Sequence, residues 1–290
     1  MTIECVASGP FSLTESPVWD SDTGTLYWCD IPACAVHALV PQTGARREWG
    51  FPGPTGSMGL CRSGRLVVAT GLEVVLFDAD SGETTPVATL EAAAGSRAND
   101  GKVGPDGAFW VGTMVERQDP DDPQGALFRV GADGSVEKRL DGLRTTNGLA
   151  WSADGMTMYH ADSRGQWIDR WDFDPASGNM KNRTRIAEPT EAQGRPDGGA
   201  TDIDGNYWSA GVSAGALNCW SPQGELLSRI EVPVPRPTMP CFGGPDLKTL
   251  YFTSIRANLD AAALAAAPDS GGVFAMPAPV AGAPVSRFDD

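Results

Sequence analysis

The stretch RANDGKVGPDGAFWVGT, residues 97–113, decides how this chain is read. A polar residue opens a strand-like run at Asn99-Asp100-Gly101. A turn glycine, Gly107, follows eight residues after Asn99, and an aromatic strand begins at Phe109-Trp110-Val111. The arrangement returns twice, with Asn147-Gly148 eight residues ahead of Gly155 and Asp197-Gly198 eight ahead of Gly205. A fourth acidic residue, Glu15, precedes the comparable Gly24 by nine.

Working outward, the same punctuation covers the chain. First turns lie at Thr23-Gly24, Ser63-Gly64, Asp106-Gly107, Asp154-Gly155, Asp204-Gly205 and Pro245-Asp246. Each is followed by a strand of aromatic or β-branched residues, such as Leu26-Tyr27-Trp28 or Leu250-Tyr251-Phe252. A second turn follows about twenty residues later, and a period of about 40 to 50 residues is that of a four-stranded propeller blade. Six repeats predict an all-β, six-bladed β-propeller of four-stranded blades, forming one domain over residues 1–290. The last blade is short of a strand after Val273-Phe274-Ala275-Met276, and Ile3 to Ala7 are expected to supply it and close the ring. Residues 258–272 read as an insertion in which Leu259 to Leu264 form a short surface helix capped by Asn258.

Composition agrees with a large, turn-rich globular protein. The 290 residues include 35 glycines and 23 prolines spread along the chain. A net charge of -15 repels phosphate backbones and anionic membranes, so no nucleic-acid or membrane partner is expected. The N-terminus has neither the basic start nor the apolar core of a signal peptide, and no run approaches the length of a membrane helix. Six cysteines without a Cys-x-x-Cys pair read as reduced and mostly buried, in a cytoplasmic protein. Monomer and small homo-oligomer both remain open.

In a propeller the first strand of every blade lines the central channel, and all of these strands run the same way. Glu15, Asn99, Asn147 and Asp197 therefore meet at one rim, with Gly56-Ser57 and Met239-Pro240 at the corresponding places of the second and sixth blades. Carboxylates and carboxamides without His or Cys suit one hard divalent cation such as calcium, magnesium or manganese; zinc or iron would lack their preferred ligands. Asn-Gly and Asp-Gly are also ordinary turn dipeptides, but turns alone have no reason to share a register with a second glycine. Other motifs carry less. Gly211-Val212-Ser213-Ala214-Gly215 has the pattern of a nucleophile elbow, but both histidines, His37 and His160, precede it and a strand follows it. Asp20 to Gly24 and Asp202 to Gly205 read as hairpin turns and not calcium loops, and His160 reads as a packed residue.

Glu15-Ser16-Pro17-Val18-Trp19, Arg97-Ala98-Asn99-Asp100-Gly101-Lys102, Asn147-Gly148-Leu149-Ala150-Trp151 and Pro196-Asp197-Gly198 resemble the motifs of the regucalcin/gluconolactonase (senescence marker protein-like) family. The resemblance continues through Gly112-Thr113-Met114 and Cys241-Phe242-Gly243-Gly244, and so covers nearly the whole chain. It implies a six-bladed propeller that hydrolyses a sugar lactone, such as glucono-, xylono-, arabinono- or galactonolactone, with one divalent metal cation. By similarity Glu15, Asn147 and Asp197 hold the metal, Asp197 is also the catalytic proton acceptor and donor, and Arg97 and Asn99 hold the sugar. A family glutamate just after Gly-Thr-Met falls on Arg117 in the simplest match, leaving open whether Glu116 or Arg117 contacts substrate. The rival readings are hydrolysis of another ester or phosphoester, and a calcium-binding or scaffolding propeller without lactonase activity.

Overall fold

A computed structural model describes residues 2–117, 119 and 122–290. Among them, twenty-four strands form six four-stranded antiparallel sheets. Five sheets follow chain order, with residues 14–50, 55–89, 96–143, 146–187 and 196–231 as blades one to five. Blade six contains strands between residues 237 and 277, and the strand Glu4–Ala7 is its outermost member, paired with Val273–Pro277. First and last segments are thus sewn into one sheet, as the missing strand required. No described helix is long and apolar enough to cross a membrane.

The innermost strands are Thr14–Asp20, Thr55–Leu60, Ser96–Val103, Thr146–Trp151, Pro196–Thr201 and Pro237–Gly243. Each packs against the next, and the last against the first, so they enclose the axis. The outermost strands, such as Ala45–Gly50 and Asn179–Ala187, are largely exposed and carry charges that discourage edge-to-edge pairing. Between neighbouring blades lie six apolar clusters, one per gap. Trp110, Trp151 and Phe173 meet edge to face between blades three and four, and Tyr159 stacks on Tyr207 between four and five.

One expectation is corrected. The insertion does hold a helix, Ala261–Ala266, but Asp260 caps it, its carboxylate accepting the Ala263 N–H at 2.8 Å. Asn258 instead takes a positive φ of 60° in the turn before it, a conformation that its short side chain tolerates. All six cysteines are free, and Cys29, Cys61, Cys219 and Cys241 are buried.

Residues 281–289, to which the repeat assigns no place, run across the first-turn end of the channel. Ala283 N–H donates to Thr201 of blade five, Phe288 N–H to Leu60 of blade two, and Asp289 N–H to Gly107 of blade three. Phe288 is fully buried in the cluster between blades two and three, and Arg287 pairs with Asp20 at 2.6 Å. Phe288→Ala is expected to destabilise the fold by about 3–5 kcal/mol through the cavity it leaves. The urea midpoint measures this, and an unchanged midpoint would show that the strap adds nothing to the ring.

Candidate active site

All six innermost strands carry a register shift at the same end: between Glu15 and Val18, Thr55 and Ser57, Ala98 and Gly101, Asn147 and Ala150, Pro196 and Gly199, and Pro237 and Pro240. A bulge of this kind adds a residue, bends the strand and re-aims its side chains. Glu15, Asn99, Asn147 and Asp197 all sit at it. Gly148, in the bulge of blade four, has a φ of +66°, and a Cβ there would lie 2.3 Å from the Tyr207 hydroxyl. Only glycine fits that position.

The four polar residues line one cavity of about 210 Å³, together with Arg97, Ser163, Arg164, Arg195 and Thr238. Leu13, Ile31, Met114, Val212 and Ile255 supply apolar wall, and the second blade contributes no lining residue, so the site is lopsided about the axis. The loops around it are pinned from below. Asp162, at the end of the second strand of blade four, accepts the N–H groups of Arg144 and Thr145 at 2.7 and 3.0 Å, and those of Arg164 and Gly165 at 3.1 and 2.8 Å. Asp30 does the same for Ser12 and Leu13 in blade one.

Within the cavity the two asparagines differ. Asn147 donates its amide to Asp197 Oδ1 at 2.6 Å and to Ser163 Oγ at 2.8 Å, while its own Oδ1 is buried without a partner. Asn99 has both ends occupied. Its amide donates to Thr146 O at 3.0 Å, and its Oδ1 accepts from Arg97 Nη1 at 2.8 Å. Arg97 also donates to Ala98 O and faces Glu116 across 3.6 Å. Glu116 is therefore a neighbour of Arg97, and neither Glu116 nor Arg117 is among the described residues that line the cavity.

Glu15 and Asp197 are buried, and both are pushed up. Burial raises Glu15 well above the usual carboxylate range, with the Asp197 and Asp100 charges adding to it. Burial and then the Asp100 charge take Asp197 up to about 8, against opposing pulls from Arg195, Ser163 and Arg97. Two carboxylates that resist ionisation together, beside an orphaned carboxamide oxygen, form an all-oxygen set suited to a hard divalent cation. Glu15, Asn147 and Asp197 fit that group. Asn99 does not, because Arg97 already occupies its oxygen. Among the described residues no group of three His, Cys, Asp or Glu side chains assembles as a metal site, here or elsewhere, and the candidate set depends on the Asn147 carboxamide.

The remaining motifs stay structural. His160 is wholly buried against Trp167, and burial lowers it to about 3, so it is neutral. Ser213 accepts the Arg195 N–H in a turn between two strands, with no helix behind it. Ser163, Arg164, Arg195 and Thr238 were not singled out in the sequence. They lie outside the repeated offset, and only the ring brings them to the rim.

The chain matches the family model described as SMP-30/Gluconolactonase/LRE-like region over residues 13–256. It is 38% identical over 276 residues to a 6-deoxy-6-sulfogluconolactonase of Pseudomonas putida, covering 94% of both chains. It is 34% identical to regucalcin of Xenopus laevis, covering 94% of this chain and 93% of that one. Among solved structures it superimposes on a calcium-binding regucalcin of Agrobacterium tumefaciens with a TM-score of 0.91 and 28% identity, over 99% of this chain and 97% of the other.

Proposed function

Because the chain belongs to the SMP-30/Gluconolactonase/LRE-like family, we propose that it is a lactonase that opens a sugar lactone to its aldonic acid with one divalent cation. The observation that carries this reading is the buried trio of Glu15, Asn147 and Asp197 lining one cavity, in which Asn147 Oδ1 stands unpartnered. Glu15 Oε1, Asn147 Oδ1 and an Asp197 oxygen would hold the cation. When bound, it supplies Lewis-acid polarisation of the lactone carbonyl and offsets the charge of the two carboxylates.

The protein's own groups do the rest. Asp197 Oδ1 is held by Asn147 and Ser163, whereas its Oδ2 has no hydrogen bond among the described residues. Oδ2 accepts a proton from the attacking water and returns it to the ring oxygen as the C–O bond breaks. Its raised affinity for a proton, before any cation offsets it, suits a group that must both take and give one. Arg97 fixes Asn99 and presents its remaining N–H donors to sugar hydroxyls, its charge retained although burial lowers its pKa. The apolar wall of Leu13, Ile31, Val212 and Ile255 excludes bulk water from the acidic floor.

The test is a panel of five- and six-membered sugar lactones followed by acid release, with spontaneous opening subtracted. Turnover of at least one, restored by an added divalent cation, is expected. Absence of any enzymatic ring opening across the panel and across calcium, magnesium, manganese, zinc and iron would reject the reading.

A further inference from the structure

Two cations at the mouth of the cavity have no role in the chemistry above beyond the pull of Arg195 on Asp197. Arg164 and Arg195 both line the cavity and both are exposed. Their backbones are fixed, Arg164 N–H on Asp162 Oδ1 at 3.1 Å and Arg195 N–H on Ser213 Oγ at 2.9 Å. Their guanidinium groups have neither an ion pair nor a hydrogen-bond acceptor among the described residues. This sets them apart in a chain with 37 acidic and 22 basic residues. Elsewhere arginines are engaged: Arg129 with Asp106 and Glu137, Arg183 and Arg185 with Asp169, Arg287 with Asp20 and Asp22. Arg117 also has no such partner among the described residues, and it does not line the cavity.

Unengaged guanidiniums on pinned backbone, at the entrance of a site whose floor is acidic, are preorganised for an anion outside the protein. A guanidinium binds carboxylate, phosphate or sulfonate oxygens through paired N–H donors. The two guanidiniums draw an anionic group to the rim, so a charged substrate enters with its anionic end there and its lactone ring inward, toward Asp197. From this arrangement we infer that the preferred substrate is a sugar lactone bearing an anionic substituent away from the lactone carbonyl, held by Arg164 and Arg195. The inference rests on the lactonase reading and assigns these two arginines as specificity-determining residues.

The test compares kcat/KM of the cation-loaded wild type, Arg164→Gln, Arg195→Gln and the double variant. The substrates are an uncharged aldonolactone and lactones of the same size carrying a carboxylate, a phosphate or a sulfonate. Wild type is expected to favour one of the anionic lactones, and the preferred arm identifies the anion. The double variant is expected to lower the anionic-to-neutral ratio of kcat/KM by about 10- to 100-fold, as loss of charged hydrogen bonds does. Rising salt should erode the wild-type ratio but not that of the double variant. Equal use of neutral and anionic lactones by wild type, or an equal loss on both in the double variant, would overturn the inference and leave the lactonase reading intact. No turnover of any lactone would instead overturn the lactonase reading itself.

Discussion

Asp197→Ala is expected to lower kcat/KM for lactone hydrolysis by about 10³-fold or more, because it removes both the proposed proton acceptor and one of the three side chains proposed to hold the cation. Asp197→Asn separates the two losses. It keeps an oxygen in place but cannot take a proton, so kcat should fall while binding of a lactone is largely retained. Neither change should disturb the far-UV spectrum, since Asp197 sits in a strand whose ladder depends on its backbone. The alanine variant is also expected to be no less stable than wild type above pH 7 without cation. The wild type's buried Asp197 carboxylate is costly there, and in the variant the Asn147 amide keeps Ser163 as a partner. Wild-type turnover by Asp197→Ala would exclude the mechanism.

Stripping the divalent cation is expected to lower turnover by about 10²-fold or more, and it has a signature that needs no substrate. Without cation, Glu15 and Asp197 have folded-state pKa values above their unfolded ones. Stability from such raised carboxyls is fully present below the ordinary carboxylate range and is lost as pH rises through the folded value, about 8 for Asp197. The neutral, buried His160 acts oppositely, since its depressed pKa costs stability as pH falls below the unfolded histidine range. The window that isolates the carboxylates is therefore about pH 6.5 to 8. There the cation-free protein should lose about 1–2 kcal/mol and melt at progressively lower temperature. A saturating cation should flatten that slope and raise the melting temperature most at the alkaline end. Identical slopes with and without cation would show that the trio holds none.

Much of this was legible in the sequence, and the reason is local. Turn glycines, alternating strands and a period of about 45 residues are written in short stretches, and a propeller converts period into position. Equal offsets from a turn then become equal heights on the channel wall, which is how Glu15, Asn99, Asn147 and Asp197 could be grouped. The missing strand of blade six was legible for the same reason. The helix cap was misplaced by two residues, from Asp260 to Asn258, because both residue types cap helices and only the backbone conformation separates them.

By itself, then, the sequence determined the number of blades, the closure of the ring and the shared register of four polar residues, because each follows from a repeated local pattern. Tertiary structure decided which of two equivalent asparagines keeps a free oxygen. Asn99 loses its oxygen to Arg97 two positions away, whereas Asn147 spends only its amide, on Asp197 fifty residues later and on Ser163. It also placed Arg164 and Arg195 at the mouth, and residues 281–289 across the opposite end. Such outcomes depend on which side chains become neighbours once the ring is closed, and no periodic signal carries that information.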